Sequence, residues 1–541
     1  LNLERIKTLV AEACQNLDDV DSAPILKDAL RNLYHQAQLE DVHKALIMAA
    51  RALVETEPNY TYVSARLLLN SLRTEALSKL GMQQETTADE MAKIYPEYFK
   101  TYLMQGISQE IIDPSLAEFD LEKLGKALLA NRDMQFTYLG LQTLYDRYFI
   151  HEHNTRYELP QAFFMRVSMG LALREPKNRD EKAIEFYLQL SSFDYMSSTP
   201  TLFNAGTTRP QLSSCYLTTV PDHLDGIYGA IKDNALLSKF AGGLGNDWTA
   251  VRAMGAHIKG TNGRSQGVVP FLNVADATAV AVNQGGKRKG AVCAYLECWH
   301  KDVEEFLELR KNTGDDRRRT HDMNTALWIP DLFMKRVHEK SDWTLFSPDE
   351  VPGLHDTYGK DFEKLYLKYE KQASLGQLQN TKTLPAIKLW RKMLSMLFET
   401  GHPWLTFKDT CNLRSPQQHT GVIHSSNLCT EITLNTSDEE IAVCNLGSIN
   451  LPAHIINGKL DEEKLKKTIK TAVRMLDNVI DINYYSVPQA RNSNLKHRPV
   501  GLGLMGFQDA LYAMGIDYAS DEAIQFADKS MELISYYTIL A

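Results

Sequence analysis

Apolar residues recur at three- and four-residue steps through LERIKTLVAEACQNL, APILKDALRNLYHQ and EDVHKALIMAARALVETEP, which predicts amphipathic helices over residues 1 to about 85. The same period continues through DLEKLGKALLANR and EKAIEFYLQLSSF, punctuated by Pro160 and Pro176, so helices are expected as far as residue 195. Near residue 196 the texture changes. Short apolar runs bounded by glycine, proline and asparagine (SSTPTLFNAG, SSCYLTTV, GAVCAYLE, ALWIP) predict buried strands, and they alternate with helical stretches such as DVEEFLELRKN (302–312) and AIKLWRKMLSMLFETG (386–401). An α/β barrel or open sheet follows. The polar segment EKQASLGQLQNTKTLP (370–385) offers little to bury and is expected to be a mobile surface loop. The sequence stops inside KSMELISYYTILA, a helical pattern with no glycine, asparagine or proline to end it, so the natural chain is expected to continue.

The 541 residues suffice for about three domains, and the texture divides them into a small helical module (1–85), a second helical region (86–195) and an α/β region (196–541). A formal charge of −9 argues against a surface that neutralises nucleic-acid phosphates, so an anionic ligand must be held by particular loops. The most apolar stretches, ALIMAARALV (45–54) and VVPFLNVADATAVAV (268–282), are too short and too interrupted for a membrane span. LNLERIKTL carries charges where a signal peptide needs an apolar run. Seven scattered cysteines (Cys14, Cys215, Cys293, Cys298, Cys411, Cys429, Cys444) are too few for a disulfide scaffold, which points to reduced thiols and a cytoplasmic protein. No metal site is expected: Cys293, Cys298 and His300 in CAYLECWH have the right chemistry for zinc, but two thiols five apart on a strand face opposite sides. AGGLGN (241–246) lacks the spacing of a dinucleotide fingerprint.

The candidate chemistry is concentrated in SSNLCTEI (425–432). If this segment is extended, Asn427, Cys429 and Glu431 emerge on one face. An ionised glutamate beside a thiol disfavours the thiolate and keeps sulfur as S–H. That suits hydrogen-atom chemistry, with the carboxylate taking a proton from an adjacent hydroxyl and the amide holding another. Spacing also accommodates a plain strand whose polar residues satisfy backbone groups at a loop mouth. Cys215 in PQLSSCYL and Cys444 in EIAVCNLGSIN fall in apparent strands of the same region, and they can form a disulfide only if their Cα atoms lie roughly 4.4–6.8 Å apart.

PTLFNAGTTRPQLSSC (200–215), FAGGLGNDWTAVRAMG (240–255), NQGGKRKGA (283–291), LFSPDEVPGLHD (345–356), SNLCTEI (426–432) and AVCNLGSINL (442–451) together resemble, in order, the large catalytic subunit of class I ribonucleotide reductase. The resemblance extends across most of residues 196–451. It implies a ten-stranded α/β barrel of two five-stranded halves behind a helical N-terminal region, here incomplete at its C-terminal end. The implied activity is reduction of ribonucleoside diphosphates to 2′-deoxyribonucleoside diphosphates for DNA precursor synthesis. Cys429 matches the cysteine that becomes a thiyl radical and abstracts the ribose 3′ hydrogen, Glu431 the base for the 3′ hydroxyl, and Asn427 the amide that helps hold the hydroxyls. Cys215 and Cys444 match the pair that reduces the 2′ position and ends as a disulfide. Thr201 and Ser214 match contributors to the substrate-phosphate cradle.

By composition NQGGKRKG (283–290) reads either as a wrap for a nucleotide's phosphates or as a solvated basic turn. By resemblance it links a specificity effector to the substrate base, with Gln284 and Arg288 as readers. Asp222 in VPDHLDG and Arg252 in AVRAMG match effector positions, suited to a sugar hydroxyl and a phosphate. Residues 1–85 resemble an ATP-cone, with His43 a matching element, whose basic, glycine-containing first strand this sequence does not contain. The resemblance further implies a radical drawn from a dimetal small subunit, with no cofactor bound by this subunit. It also implies ATP and dNTP effectors, a thioredoxin- or glutaredoxin-type reductant and a homodimer. Radical-relay tyrosines, a second phosphate loop and a C-terminal cysteine pair are expected beyond Ala541. Two alternatives share some of these features: an adenosylcobalamin-dependent reductase shares the barrel and cysteines, and a nucleotide-sensing module without chemistry shares the effector residues.

Overall fold

The computed structural model describes residues 3–82, 86–240, 242–284 and 288–541, with backbone alone at 283, 284, 288 and 289. The chain divides into two compact units, Leu1–Leu212 with Leu446–Asn483 and Leu502–Ala541, and Ser213–Asn445 with Tyr484–Gly501.

The first unit is helical, as the three- and four-residue period predicts. Leu3–Cys14, Ser22–Asn32 and Leu39–Ala52 place Val10, Ile25 and Leu46 in one core with Leu69 and Leu72 of Tyr60–Lys79. Local signals set the ends: Asp21 accepts from the Ala23 N–H, and Thr87 with Glu90 forms a reciprocal capping box on Ala88–Ser108. Pro160–Ala172 has no polar stripe, and all of its residues are buried. Its polar side chains are satisfied internally. Gln161 donates to Asp133, and Arg166 pairs with Glu158 at 2.6 Å while donating to the Ala205 carbonyl at 2.6 Å. SSTPTLFNAG departs from expectation: Tyr195–Ser197 is a strand, but Thr199–Asn204 is a short helix. Pro200 in the first turn pre-sets φ and gives up only an N–H that a helix start leaves unused, which outweighs the strand-like pattern.

In the second unit, β1 (Cys215–Thr219), β2 (Gly243–Asp247), β3 (Val292–Glu297), β4 (Asn324–Ile329) and β5 (Trp404–Phe407) lie side by side in chain order, all parallel. This is one five-stranded half of the expected barrel. β6 (Ala442–Asn450) then returns antiparallel against β1 through residues 442–444, and its residues 446–450 belong to the first unit, where 447–449 pair with Tyr195–Ser197. Parallel neighbours need crossovers, which Leu224–Ser238, Val269–Ala281, Asp331–Glu339 and Ala386–Thr400 supply.

The strand period of two sorts side chains to two faces. Leu244, Val292, Ala294, Leu296 and Leu327 pack with Ile231, Leu272, Phe333 and Leu389 of the crossover helices. Cys293, Tyr295, Ala326 and Trp328 cluster separately, with Ile423 and Leu428. The second face therefore receives a loop instead of helices. Cys298, just past β3, joins the helix-side cluster, away from Cys293, as the five-residue spacing predicts.

Two other stretches differ from expectation. Residues 370–374 finish the helix Gly359–Ser374, and after a connection at 375–380 the strand Thr381–Pro385 pairs antiparallel with Asp342–Phe346. Their polarity is that of a two-stranded ribbon burying only Leu384 on this strand, with the other positions solvated. DVEEFLELRKN is α-helical only over Val303–Phe306 and continues as turns. Among the described residues no helix is long and apolar enough to cross a membrane.

Candidate active site

The segment carrying Cys429 is not extended through the cysteine. It turns at residues 427–430, where the Asn427 carbonyl accepts from the Thr430 N–H at 3.3 Å and Thr430 has φ 70°. Asn427 is fully buried at the root of the turn, while Cys429 and Glu431 are exposed. The alternation expected of a strand fails because the two arms tie to each other. Ser426 Oγ donates to the Ile432 carbonyl at 2.6 Å, and Asn427 Oδ1 accepts from the Ile432 N–H at 3.1 Å.

Two features seat this loop on the second face of the sheet. A Cβ built on Gly245 would fall on the Ser426 carbonyl oxygen, so β2 accepts the loop only where it has no side chain. Gly245 is thus a close-approach site for backbone. Asn412 grips the Ile423 peptide unit from both sides, accepting from its N–H at 2.8 Å and donating to its carbonyl at 3.0 Å.

The β1–β6 register places Cys215 directly opposite Cys444. Opposed residues of an antiparallel pair have Cα atoms about 4.5–5.5 Å apart, inside the range a disulfide spans. Asn427 Nδ2 donates to Cys215 Sγ at 3.1 Å, which joins the thiol pair to the root of the Cys429 turn. Burial pushes the Cys215 thiol up to about 11, helped by the charge of Glu431 and opposed by the Ser214 hydroxyl and the Asn427 amide. Burial, Cys215 and Glu431 likewise raise Cys444. Both sulfurs are therefore protonated at neutral pH.

A charged cluster stands at the C-terminal ends of the parallel strands. Asp247 ends β2, Glu297 ends β3 and Lys408 follows β5, all fully buried. His355 bridges the carboxylates, with Nε2 2.7 Å from Asp247 Oδ2 and Nδ1 2.9 Å from Glu297 Oε1. Lys408 Nζ lies 2.7 Å from the same Glu297 oxygen and donates to the His355 carbonyl at 2.8 Å. Two anions thus meet two cations, with hydrogen bonds satisfying both, as buried charges require. Burial alone would lower the His355 pKa; the Asp247 charge and the hydrogen bonds to both carboxylates outweigh it and bring it up to about 9. The His355 ring lies 4.1 Å, centroid to centroid, from that of His424. Burial and the His355 charge hold His424 below its ordinary value against its hydrogen bond to Asp356. His424 is three residues before Asn427, so the cluster grips the entry to the cysteine loop.

The remaining expected residues sit as follows. Asp222 and Arg252 form a bidentate pair, with Arg252 Nε 2.9 Å from Asp222 Oδ2 and the Arg252 backbone N–H donating to Oδ1 at 2.9 Å. The backbones of Gln284 and Arg288 pair with each other, and their side chains lie outside the described residues. Ser214 Oγ is buried beside the Cys215 thiol. In the first unit, Thr201 Oγ1 donates to the Leu212 carbonyl at 3.0 Å, and His43 lines a cleft of about 660 Å³ with Lys44, Arg51, Tyr145 and Arg156.

Residues 134–210 match the family described as ribonucleotide reductase, all-alpha domain, and residues 213–541 match ribonucleotide reductase, barrel domain. The chain belongs to the ribonucleotide reductase large-subunit family. Ribonucleoside-diphosphate reductase subunit alpha of Chlamydia muridarum is 58% identical over 534 residues, which cover 98% of this chain and 50% of the relative. Subunit alpha of Helicobacter pylori (strain J99) is 39% identical over 597 residues, 100% of this chain and 73% of the relative. The large chain of Schizosaccharomyces pombe is 40% identical over 544 residues, 99% and 65% respectively. The chain spans about half the length of the chlamydial relatives it matches. The seam between its two family regions, 210–213, coincides with the change of unit at Leu212–Ser213.

Sequence reasoning missed Tyr295, His355, Lys408, Asp247 and Glu297. For Asp247 and Glu297 one signal was available. In a parallel α/β sheet, chemistry gathers at the C-terminal strand ends, and a carboxylate closing an otherwise apolar run, as in GLGND and VCAYLE, marks such an end.

Proposed function

We propose that this chain carries the nucleotide-reducing centre of a ribonucleoside-diphosphate reductase, with Cys429 as the radical thiol and Cys215 with Cys444 as the reductant. The observation that carries the reading is the register opposing Cys215 to Cys444, with Asn427 hydrogen-bonded to Cys215 and beginning the turn that exposes Cys429. In the proposed reaction a thiyl radical on Cys429 takes the 3′ hydrogen of the ribose, Glu431 accepts the 3′-hydroxyl proton, and the Asn427 amide orients the hydroxyls. The 2′ hydroxyl leaves as water with a proton from the thiol pair. The pair delivers its second proton and two electrons to C2′, forming the new C2′–H bond, and closes to a disulfide, and Cys429 returns its hydrogen to C3′. One ribonucleotide and two thiols thus give one deoxyribonucleotide, one water and one disulfide. The raised pKa values of Cys215 and Cys444 suit this role, because each sulfur keeps its hydrogen until one is taken by the leaving 2′ oxygen and the other by C2′.

A dimetal small subunit supplies the radical in this reading, and a thioredoxin- or glutaredoxin-type reductant reopens the disulfide. The relatives are named as a subunit or chain of a larger assembly, which favours that scheme over the adenosylcobalamin alternative. Asp222, Arg252, Gln284 and Arg288 are proposed to answer a dNTP effector, residues 1–85 with His43 to form an ATP-cone-like module, and Thr201 and Ser214 each to contact substrate phosphate. A homodimer is proposed. The deciding experiment is Cys429→Ser in the full-length protein assayed with its small subunit: turnover should vanish while effector binding persists. Retained turnover sinks the assignment.

A further inference from the structure

We infer that Tyr295 is a positioning residue for Cys429, its hydroxyl fixing the backbone from which the radical thiol turns out. The inference rests on the reading of Cys429 given above and adds a residue to it.

The turn at 427–430 is weakly closed by itself. Its one backbone hydrogen bond, Thr430 N–H to the Asn427 carbonyl, is long at 3.3 Å, and Thr430 occupies the left-handed region at φ 70°, which a branched side chain disfavours. The same carbonyl accepts a second and shorter bond from Tyr295 Oη at 2.7 Å. Tyr295 comes from the rigid sheet, not from the loop. It is fully buried in β3, its ring edge-on to Trp328 at 6.1 Å, with Cys293 and Ala326 in the same cluster. Burial and the neighbouring Cys293 thiol push the phenol well above its ordinary range, so it stays a donor at every working pH.

Asn427 is therefore held at three points. Its carbonyl is tied to β3 through Tyr295, its Oδ1 to the returning arm through Ile432, and its Nδ2 to β1 through Cys215. Only the first tie anchors the main chain of the turn to the sheet. Without it the Asn427 peptide is free to rotate about the side-chain contacts, and Cys429, two residues on, moves with it. A thiol that must meet one C–H bond loses rate steeply for displacements on the order of 1 Å.

The test is Tyr295→Phe in the full-length protein, which keeps the ring and removes the donor. The expected result is a kcat at least tenfold lower, with KM for the diphosphate and effector affinity within twofold of the parent, and a changed rate of Cys429 alkylation by iodoacetamide, read by peptide mapping. Incorporating 4-aminophenylalanine at position 295 restores a donor at the ring tip and should recover most of both readouts, which a mere filler of space would not do. Tyr295→Phe with kcat and alkylation both within twofold of the parent overturns the inference, as does a 4-aminophenylalanine protein no better than the phenylalanine one. If the phenylalanine protein does not fold, the 4-aminophenylalanine protein compared with the parent decides alone: near-parental kcat supports the inference and a tenfold loss overturns it. A parent that shows no reductase activity, with Cys429 alkylation still altered by Tyr295→Phe, leaves the positioning intact and removes the reductase reading instead.

Discussion

Cys215 and Cys444 face each other across one antiparallel rung. A mild oxidant is accordingly expected to close this pair before any other, since the opposed geometry needs little backbone movement. Non-reducing peptide mapping after diamide treatment should recover a 215–444 crosslink, and Cys444→Ser should abolish it. A dominant crosslink through Cys293 or Cys411 would contradict the register.

Gly245→Ala should be disproportionate in its effect on function. The added methyl meets the Ser426 carbonyl, so either β2 or the loop must shift, at a cost of about 1–3 kcal/mol. Because the loop is the softer partner, reductase turnover should fall by more than tenfold while the urea midpoint moves modestly. A variant with parental turnover would show that the loop does not need its seat on β2.

The His355 cluster predicts an alkaline loss of stability. The folded pKa stands near 9 against an ordinary value of 6.5, so the stabilisation is fully present below pH 6.5 and declines as pH rises to about 9. Its size is on the order of 3 kcal/mol. Asp247, held below its ordinary value chiefly by the His355 charge against its own burial, loses its contribution only in acid and does not disturb this window. Urea unfolding at pH 6, 7.5 and 9 should show the decline in the parent. His355→Gln should start less stable, with the Asp247 charge left short of a cation, and stay flat over that range.

Asp222→Ala releases Arg252 from a pair that is roughly a quarter exposed on each side. Pairs this close to solvent contribute less than about 1 kcal/mol, so the fold should persist. If the pair belongs to the effector site, calorimetric titration should show a loss of at least tenfold in dNTP affinity; unchanged affinity would remove both residues from that role.

What was legible in the sequence was whatever depends on neighbours along the chain. The helical period of residues 1–195 and the strands in SSCYLTTV, GAVCAYLE and ALWIP appear where their local patterns place them. Cys429 and Asn427 were found as chemical types from the SSNLCTEI pattern and Cys215 as a thiol in an apparent strand, but the turn was not, because the Ser426–Ile432 and Asn427–Ile432 bonds that close it leave no periodic trace. His355 and Asp247 stand 108 positions apart, and only the crossovers of the sheet bring them within 2.7 Å. Thr199–Asn204 was misread because apolar residues after a serine-threonine run look strand-like until Pro200 is weighed as a helix starter.

β3 turns Val292, Ala294 and Leu296 to the helices, while Cys293 and Tyr295 pack on the other face and Glu297 joins the charged cluster. Its two sides are therefore open to different kinds of heritable change. The helix side can drift among apolar residues of similar volume. A single-codon insertion or deletion within the strand, however, would invert every downstream position, sending a phenol and a carboxylate into the helix layer. Across descendants of this chain, β3 should accumulate substitutions at even positions and almost never change in length.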